Sequence, residues 1–422
     1  MRILVTGATG FLGNAIVATL LAAGHQVVAC VHRRPARLPP GVEAMTVDYM
    51  RDIVADAWRP RLTGVDAVIN SVGILREHRN AEFASLHNRA PRALFTACER
   101  EDVRRMIQIS ALGADDAAAG RYHRSKKAAD DALRASALDW TIVQPSLVFG
   151  ARGNSTRLLL ALASLPLVPV AGAGDQTVQP VHIDDLATLI LRLVTERSAI
   201  RETVAAVGAD AVTFRDLLAA YRHALGLPSA PTLAIPAPTM RLAARLGDFV
   251  HRSPLSTETL AMLERGNSAS TQAIARILRR PPLGIGRFVA TDQAPALRRS
   301  TTWSWVRLLL LAGIALTWIA AGVVSALYGH SLGLRLLAKL GLTGGAAEVA
   351  FATACTLDVG LGIATVLHPV RTLWLIQLLV VAFYTVTLSV AAPQLWVDPF
   401  GPLMKNLPIV AVLTTLVAMD DA

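Results

Sequence analysis

Met1-Arg-Ile-Leu-Val-Thr-Gly-Ala-Thr-Gly-Phe-Leu-Gly13 opens the chain and decides how the rest is read. Ile3-Leu4-Val5 is an apolar run of the kind that fills a parallel strand buried on both faces. It breaks at Thr6-Gly7, and an apolar, helix-compatible run follows Gly10 as far as Leu21. Strand, glycine turn and helix in that order, with Gly7, Gly10 and Gly13 spaced G-x-x-G-x-x-G, predict a dinucleotide-binding turn. Gly7 turns the chain, Gly10 lets backbone approach a pyrophosphate, and Gly13 lets the helix pack close on the strand. The helix start, with Thr9, Phe11 and Leu12 between these glycines, offers free N–H groups and a positive dipole end to the phosphates. A glycine turn that only packs is the bland alternative.

At 422 residues the chain has room for about two or three domains. Its apolar content of 53% and mean hydropathy of +0.44 are too high for an ordinary soluble protein. The excess lies after Trp303, where charges become sparse. There Arg307, Arg335, Lys339, Arg371 and Lys405 are matched one for one by Glu348, Asp358, Asp398, Asp420 and Asp421. The net charge of +10 therefore belongs to the first part, much of it between Arg241 and Arg299. No nucleic-acid recognition module accompanies these arginines, so a basic face toward anionic lipid is expected instead, with ordinary solvated helix faces as the alternative. The first residues lack the pattern of a secretory signal. Cys30, Cys98 and Cys355 are scattered, which suits buried, reduced thiols and leaves no metal-ligand spacing.

A second strand, Gln26–Val31, ends at His32-Arg33-Arg34. No acidic residue stands there to hold a ribose 2′-hydroxyl; the basic residues suit the 2′-phosphate of NADP(H), with NAD(H) as the alternative. A third strand ends at Val47-Asp48, where Asp48 could accept from the adenine amino group. Asp66–Asn70 reads as a fourth strand breaking into Ser71-Val72-Gly73, beside the cofactor ribose and pyrophosphate. Asn88–Glu99 reads as a helix and Met106–Ser110 as a fifth strand.

Tyr122-His-Arg-Ser-Lys126 follows. At i, i+4 Tyr122 and Lys126 share one helical face. An ammonium near a phenol is expected to lower its pKa toward working pH, so Tyr122 could exchange a proton with a carbonyl or alcohol oxygen. Ser110 would donate to the same oxygen, and Lys126 would also hold the nicotinamide ribose. An exposed tyrosine and lysine on a surface helix is the alternative.

Thr6–Gly13, Ile109–Ala114, Tyr122–Lys126 and Gln144-Pro-Ser-Leu-Val-Phe-Gly150 together resemble the short-chain dehydrogenase/reductase superfamily, in its extended or atypical branch. That branch contains the NAD(P)H-binding accessory subunit of respiratory complex I, and Gln179–Ala187 matches its segment before a late helix. Covering roughly 1–290, the resemblance implies a doubly wound α/β Rossmann domain. It further implies NADP(H) held by Gly7, Gly10, Gly13 and the His32–Arg34 turn, with Pro145 at the cofactor, and Ser110, Tyr122 and Lys126 as the catalytic set. Some members of that branch hold a nucleotide without turning over a substrate. In the late segment Asp184 is expected to cap a helix over Leu186–Val194, and His182 to be a packed residue.

Trp305–Leu327, Ala346–Leu367 and Thr372–Ala391 each approach the ~20 residues needed to cross a bilayer, and a shorter Leu403–Met419 follows. Four crossings would put both termini on one side, expected to be the cytoplasm. Trp396-Val-Asp-Pro-Phe-Gly-Pro-Leu-Met-Lys-Asn-Leu-Pro408 and the four spans resemble the DoxX-like family over roughly 303–422. Asp358 lies mid-span, where a carboxylate must face the bundle. Lys405 and Asn406 are expected to complete a polar site with it, or the contact only fixes helix packing.

The expected organisation is a Rossmann core over 1–230, substrate-region helices and a basic linker over 231–302, and an all-α four-helix membrane domain over 303–422. The expected activity is NADP(H)-dependent oxidoreduction of a lipophilic carbonyl, alcohol or quinone-type substrate. The alternatives are a non-catalytic NADP(H) module serving a membrane redox complex and, less well supported by the basic turn, a nucleotide-sugar epimerase.

Overall fold

The computed structural model describes residues 1–32, 38–77, 82–118, 120–196, 198–249, 253, 255–399 and 401–420. It divides into two compact units, Met1–Thr301 and Thr302–Ala422.

The first unit is built on a seven-stranded sheet of β1 (Arg2–Thr6), β2 (Gln26–Val31), β3 (Glu43–Thr46), β4 (Ala67–Asn70), β5 (Arg105–Ile109), β6 (Asp139–Pro145) and β7 (Glu202–Ala206). Their spatial order is β7-β6-β5-β4-β1-β2-β3, and every pairing is parallel. Because strand side chains alternate between faces, Ile3 and Val5 enter one core and Leu4 the other. On the first face lie α1 (Phe11–Ala22) and α4 (Ile183–Thr195); on the second lie α2 (Ala90–Arg100) and α3 (Arg121–Arg134). Both faces of the sheet are thus covered, which explains why Ile3-Leu4-Val5 of β1 is a continuous apolar run rather than an alternating one. The strand order reverses between β1 and β4, and in such sheets the crevice beyond the strand ends at that point is where ligands bind.

Three later helices follow: α5 (Phe214–Ala224), α6 (Ala237–Phe249) and α7 (Thr257–Arg265), of which α7 reaches the site. Thr213 caps α5 by accepting from the Asp216 N–H, and Ser256 caps α7 through a reciprocal bond pair with Thr259.

The second unit is helical: α8 (Ala294–Tyr328, which begins in the first unit), α9 (His330–Lys339), α10 (Gly344–Leu367), α11 (Arg371–Ala391) and α12 (Asn406–Met419). Three of these, α8, α10 and α11, are long and apolar enough to cross a membrane. The expected fourth span is a helix of 14 residues, about 21 Å long and short of a ~30 Å hydrocarbon core. Helix length therefore supports three crossings, and the even count used to place both termini on one side does not follow from it. Ile314, Trp318, Leu361, Trp374, Leu413 and Leu416 form the interior, while Leu308, Leu309, Leu316, Leu379 and Phe383 point outward. Gly362 permits close packing, since a Cβ there would lie 2.9 Å from the Ala315 carbonyl oxygen.

Candidate active site

The crevice floor is backbone. Gly7 has φ +67°, and a Cβ on it would lie 3.0 Å from the Ser71 carbonyl group. A Cβ on Gly13 would sit 2.1 Å from the Gly7 carbonyl oxygen. Gly10 is the N-cap of α1 and has no side-chain hydrogen bond covering the helix start; its own N–H closes the turn on the Gly7 oxygen at 2.9 Å. Thr9 and Gly10 are exposed, Leu12 packs on the core, and the Phe11 ring lies against Gly150 and Gly153. A helix start with no side-chain cap, behind a turn whose three glycines keep Cβ atoms out of the close approaches, fits a pyrophosphate.

A buried ladder fixes the strand ends around this turn. Thr6 Oγ1 and Tyr49 OH both donate to Asn70 Oδ1, at 2.6 and 2.8 Å, and Asn70 Nδ2 donates to Gln108 Oε1 at 2.7 Å. Ser71 Oγ donates to the Thr6 carbonyl at 2.6 Å. Pro145 ends β6, and its carbonyl accepts from the Leu112 N–H at 2.9 Å. At the other edge His32 is exposed, whereas Arg33 and Arg34 lie outside the described residues. Asp48 accepts from the Met50 N–H at 2.9 Å, closing its own turn.

Ser110 and Lys126 meet the end of β5, while Tyr122, one turn before Lys126 on α3, packs its ring against His87; their chemistry differs from the sequence expectation. Lys126 is buried, and its Nζ donates to the Val72 and Ile109 carbonyls, at 3.1 Å each. It also abuts Gly73, where a Cβ would stand 3.0 Å from Nζ. Ser110 Oγ donates to Asp130 Oδ2 at 2.5 Å. Asp130, one turn beyond Lys126 on α3, is fully buried. Burial holds the Asp130 carboxyl above its ordinary range and the Lys126 ammonium below its own, each charge partly offsetting the other.

The Tyr122 phenol is pushed up to about 12, first by burial and then by the Asp130 charge. The expected lowering by Lys126 is therefore corrected: loss of hydration disfavours the phenolate, and the nearby carboxylate opposes it further.

Asp130 and three further side chains that organise this region were not singled out from the sequence. His87 sits in a π-helical turn, Ala84–Arg89, just before α2; such turns often mark functional sites. Its Nε2 accepts from the Ile74 N–H at 3.0 Å, so the proton lies on Nδ1, 2.8 Å from Ser125 Oγ. Burial and the Lys126 charge push this imidazole down to about 2. Its ring stands 5.6 Å from that of Tyr122, and Phe83 stacks on it at 5.1 Å. Glu258, on α7, accepts from the Tyr122 N–H at 2.9 Å and the Arg121 N–H at 3.2 Å, so α3 is capped from 136 residues away. Arg265, at the other end of α7, holds both Asp115 oxygens and the Gly113 carbonyl. The available signal was the negative charge at a helix start and Asp130 at i+4 from Lys126; neither says which distant element it meets.

The late segment also differs. The helix begins at Ile183, and its N-cap is His182, whose ring accepts from the Asp184 N–H at 3.3 Å. Asp184 lies inside the first turn, exposed, and is not the cap. Asp185 is fully buried and accepts from Arg280 and, at 2.6 Å, from the Leu283 N–H.

In the helical unit Asp358 accepts from Tyr384 OH at 3.1 Å, and Asn406 Nδ2 donates to Thr385 Oγ1 at 2.7 Å. Lys405 is exposed, and among the described residues no ion pair joins it to Asp358; the tyrosine on the adjacent helix takes that place. A separate buried chain runs from Trp318 Nε1 to Gln377 Oε1 at 3.0 Å and from Gln377 Nε2 to Thr365 Oγ1 at 2.8 Å.

Comparison with known proteins agrees with this division. Residues 7–196 match the family described as NAD(P)H-binding, and residues 315–414 match the DoxX-like family. A protein of Mycobacterium tuberculosis is 29% identical over 262 residues, 62% of this chain. The chain spans only 27% of that relative's length. The complex I alpha subcomplex subunit 9 of Arabidopsis thaliana is 27% identical over 64% of this chain and 70% of that protein. A ceramide reductase of Caulobacter vibrioides is 26% identical over 53% of this chain and 70% of the reductase. Among solved structures, a nucleoside-diphosphate-sugar epimerase of Staphylococcus aureus superposes with TM-score 0.57 at 18% identity, covering 68% of this chain and 99% of that one. An NADPH-dependent quinone oxidoreductase of Escherichia coli, solved with NADPH, gives 0.55 at 18%, covering 68% and 98%. These superpositions show a shared fold.

Proposed function

We propose, for a chain that joins an NAD(P)H-binding domain to a DoxX-like domain, a membrane-anchored oxidoreductase acting on a lipophilic carbonyl, alcohol or quinone-type substrate. One observation carries the reading: the glycine turn at the start of α1 and the Lys126 ammonium, bound to the Val72 and Ile109 carbonyls, lie at the same end of the parallel sheet. Gly7, Thr9, Gly10, Phe11, Leu12 and Gly13 would hold the pyrophosphate end of the cofactor, and Asp48, Ser71, Gly73 and Pro145 its flanks. His32, Arg33 and Arg34 would favour NADP(H) over NAD(H) through the 2′-phosphate. A bound nicotinamide supplies the hydride. Lys126 fixes the Val72–Gly73 turn beside it, and the Tyr122 hydroxyl, protonated at neutral pH, donates a proton to a substrate oxygen. Reduction is the direction a protonated phenol serves. The ceramide reductase and the quinone oxidoreductase named above are relatives by sequence and by fold that fit a lipophilic substrate. A cytoplasmic position for this domain fits its free buried thiols, Cys30 and Cys98.

The test is NADPH oxidation by the purified full chain against hydrophobic ketones and quinones. Tyr122→Phe is expected to lower turnover by about 10²–10⁴-fold while leaving NADPH affinity unchanged by calorimetry. Equal turnover in the variant overturns the role of Tyr122. Arg33→Ala with Arg34→Ala is expected to weaken NADPH much more than NADH, and equal loss overturns the 2′-phosphate assignment. The raised phenol and the engagement of Lys126 with two carbonyls favour a second reading, a module that binds NADP(H) for a membrane redox complex without turnover. Tight binding with no oxidation of NADPH by any substrate would support it.

A further inference from the structure

Most helices of the first unit bury their large apolar side chains; α6 does the reverse. Its buried residues are Ala244 and Gly247, and Gly247 lies so close to the following loop that a Cβ would stand 2.0 Å from the Leu255 carbonyl oxygen. Its large residues point outward: Leu242 is 59% exposed, Leu246 61% and Phe249 89%. At i, i+4 and i+7 these three form one stripe. Arg241 and Arg245 are exposed along its flank; Arg241 lies 3.8 Å from Glu264. By contrast α5, the preceding helix, buries Leu217, Leu218 and Tyr221.

We infer that α6 is an interfacial helix, with Leu242, Leu246 and Phe249 immersed at the acyl boundary of an anionic bilayer and Arg241 and Arg245 on its head-group phosphates. An apolar stripe flanked by arginines is the composition that binds such a surface in plane. The same chain supplies the proximity: it enters a run of membrane-length helices at α8, so a lipid surface is available at high effective concentration. A second copy of the chain would be expected to bring acidic groups to Arg241 and Arg245, whereas phosphate head groups meet them directly.

The helix is also wired to the candidate active site. Arg76 donates to the Gly247 and Asp248 carbonyls, at 3.1 and 3.3 Å. Asp248 accepts from the Thr257 N–H at 3.1 Å, and the next residue, Glu258, holds the Tyr122 N–H. Immersion of α6 would bring the hydrocarbon boundary to the wall of the substrate region. This goes beyond the proposed reaction and does not depend on it.

The test uses the full chain with Cys355→Ala in nanodiscs, spin-labelled at Phe249→Cys, Leu246→Cys, Arg245→Cys or Asp116→Cys. In discs containing phosphatidylglycerol, labels at 249 and 246 are expected to be more accessible to oxygen than to a nickel chelate, and those at 245 and 116 the reverse. Arg241→Gln with Arg245→Gln is expected to weaken immersion by about fivefold per arginine, from about 1 kcal/mol each. The inference is overturned if the 249 label meets the nickel chelate as freely as the 116 label. It is also overturned if that label is shielded from both relaxants, which would mean that protein covers the stripe. None of these readouts involves NADPH turnover.

Discussion

The glycine turn after β1 and the Ser110–Tyr122–Lys126 group beyond β5 are separated by β4, and they are specified in different ways. The turn is made of backbone within thirteen residues of the first, and its geometry follows from which positions lack a Cβ. The second group is made of side chains whose states are set by residues elsewhere. Asp130 takes the serine hydroxyl, His87 fills the space beside the tyrosine ring, and Glu258 holds the start of the helix. Local spacing can define a shape; it does not define a proton affinity, which depends on every charge and cavity wall nearby.

The sharpest way to break this comparison is at Gly13. Gly13→Val forces a Cβ into the Gly7 carbonyl, so nucleotide binding should fall by more than about 100-fold, with about 1–3 kcal/mol of stability lost to overpacking. Calorimetric titration with NADPH and a thermal melt read both. Retained binding would mean that the turn can shift to make room for a side chain.

At the side-chain site the contrast is sharpened by pH. His87 has its folded pKa depressed to about 2 from 6.5, so its contribution to stability is present above pH 6.5. It is lost as pH falls toward 2, because the unfolded imidazole takes up a proton that the buried one refuses. At pH 4.5 the loss amounts to about 3 kcal/mol. His87→Gln should flatten the stability–pH curve across that window relative to the parent, measured by denaturant melts. An unchanged slope would remove His87 from the account.

Smaller effects test the remote cap. Glu258→Ala uncovers the first N–H groups of α3 and should cost about 1 kcal/mol. If positioning of Tyr122 matters to catalysis, it should also depress kcat more than NADPH affinity. The smallest effect is expected at Asp184, since His182 is the cap. Asp184→Ala should change stability by less than about 0.5 kcal/mol, whereas Thr213→Ala, at a true N-cap, should cost about 1 kcal/mol. Equal losses would restore Asp184 as a cap.

Most of the fold was legible for a physical reason. Ile3-Leu4-Val5 and Val27–Val31 are apolar runs with no polar face, and a strand covered on both sides suits them. The glycines were readable because no other residue tolerates φ +67° or so close an approach at such low cost. The apolar helices after Trp303 were readable from length, although the last proved too short to cross by that measure. The tyrosine's pKa and the partner of Asp358 were not readable, because each depends on a contact made between elements; the His182 cap is local, but a ring nitrogen two residues before Asp184 competes with the commoner carboxylate cap. Lys405 was the expected partner of Asp358, and a tyrosine hydroxyl serves a buried carboxylate as well by chemistry. Only packing distinguishes the helix that presents one from the turn that exposes the other.

The bond from Glu258 to the Tyr122 N–H has a consequence in time as well as in space. Its partners are separated by 136 residues, so at about 5–20 residues per second on a ribosome the cap is made roughly 7–27 s after the helix start it covers. The sheet from β1 to β7 can close before then, with the nucleotide cradle complete and the substrate side unfinished. The piece that finishes it, α6 with α7, is synthesised just ahead of the first membrane-length helix. Assembly of the substrate wall and delivery of the chain to the bilayer are therefore consecutive events in the making of this protein.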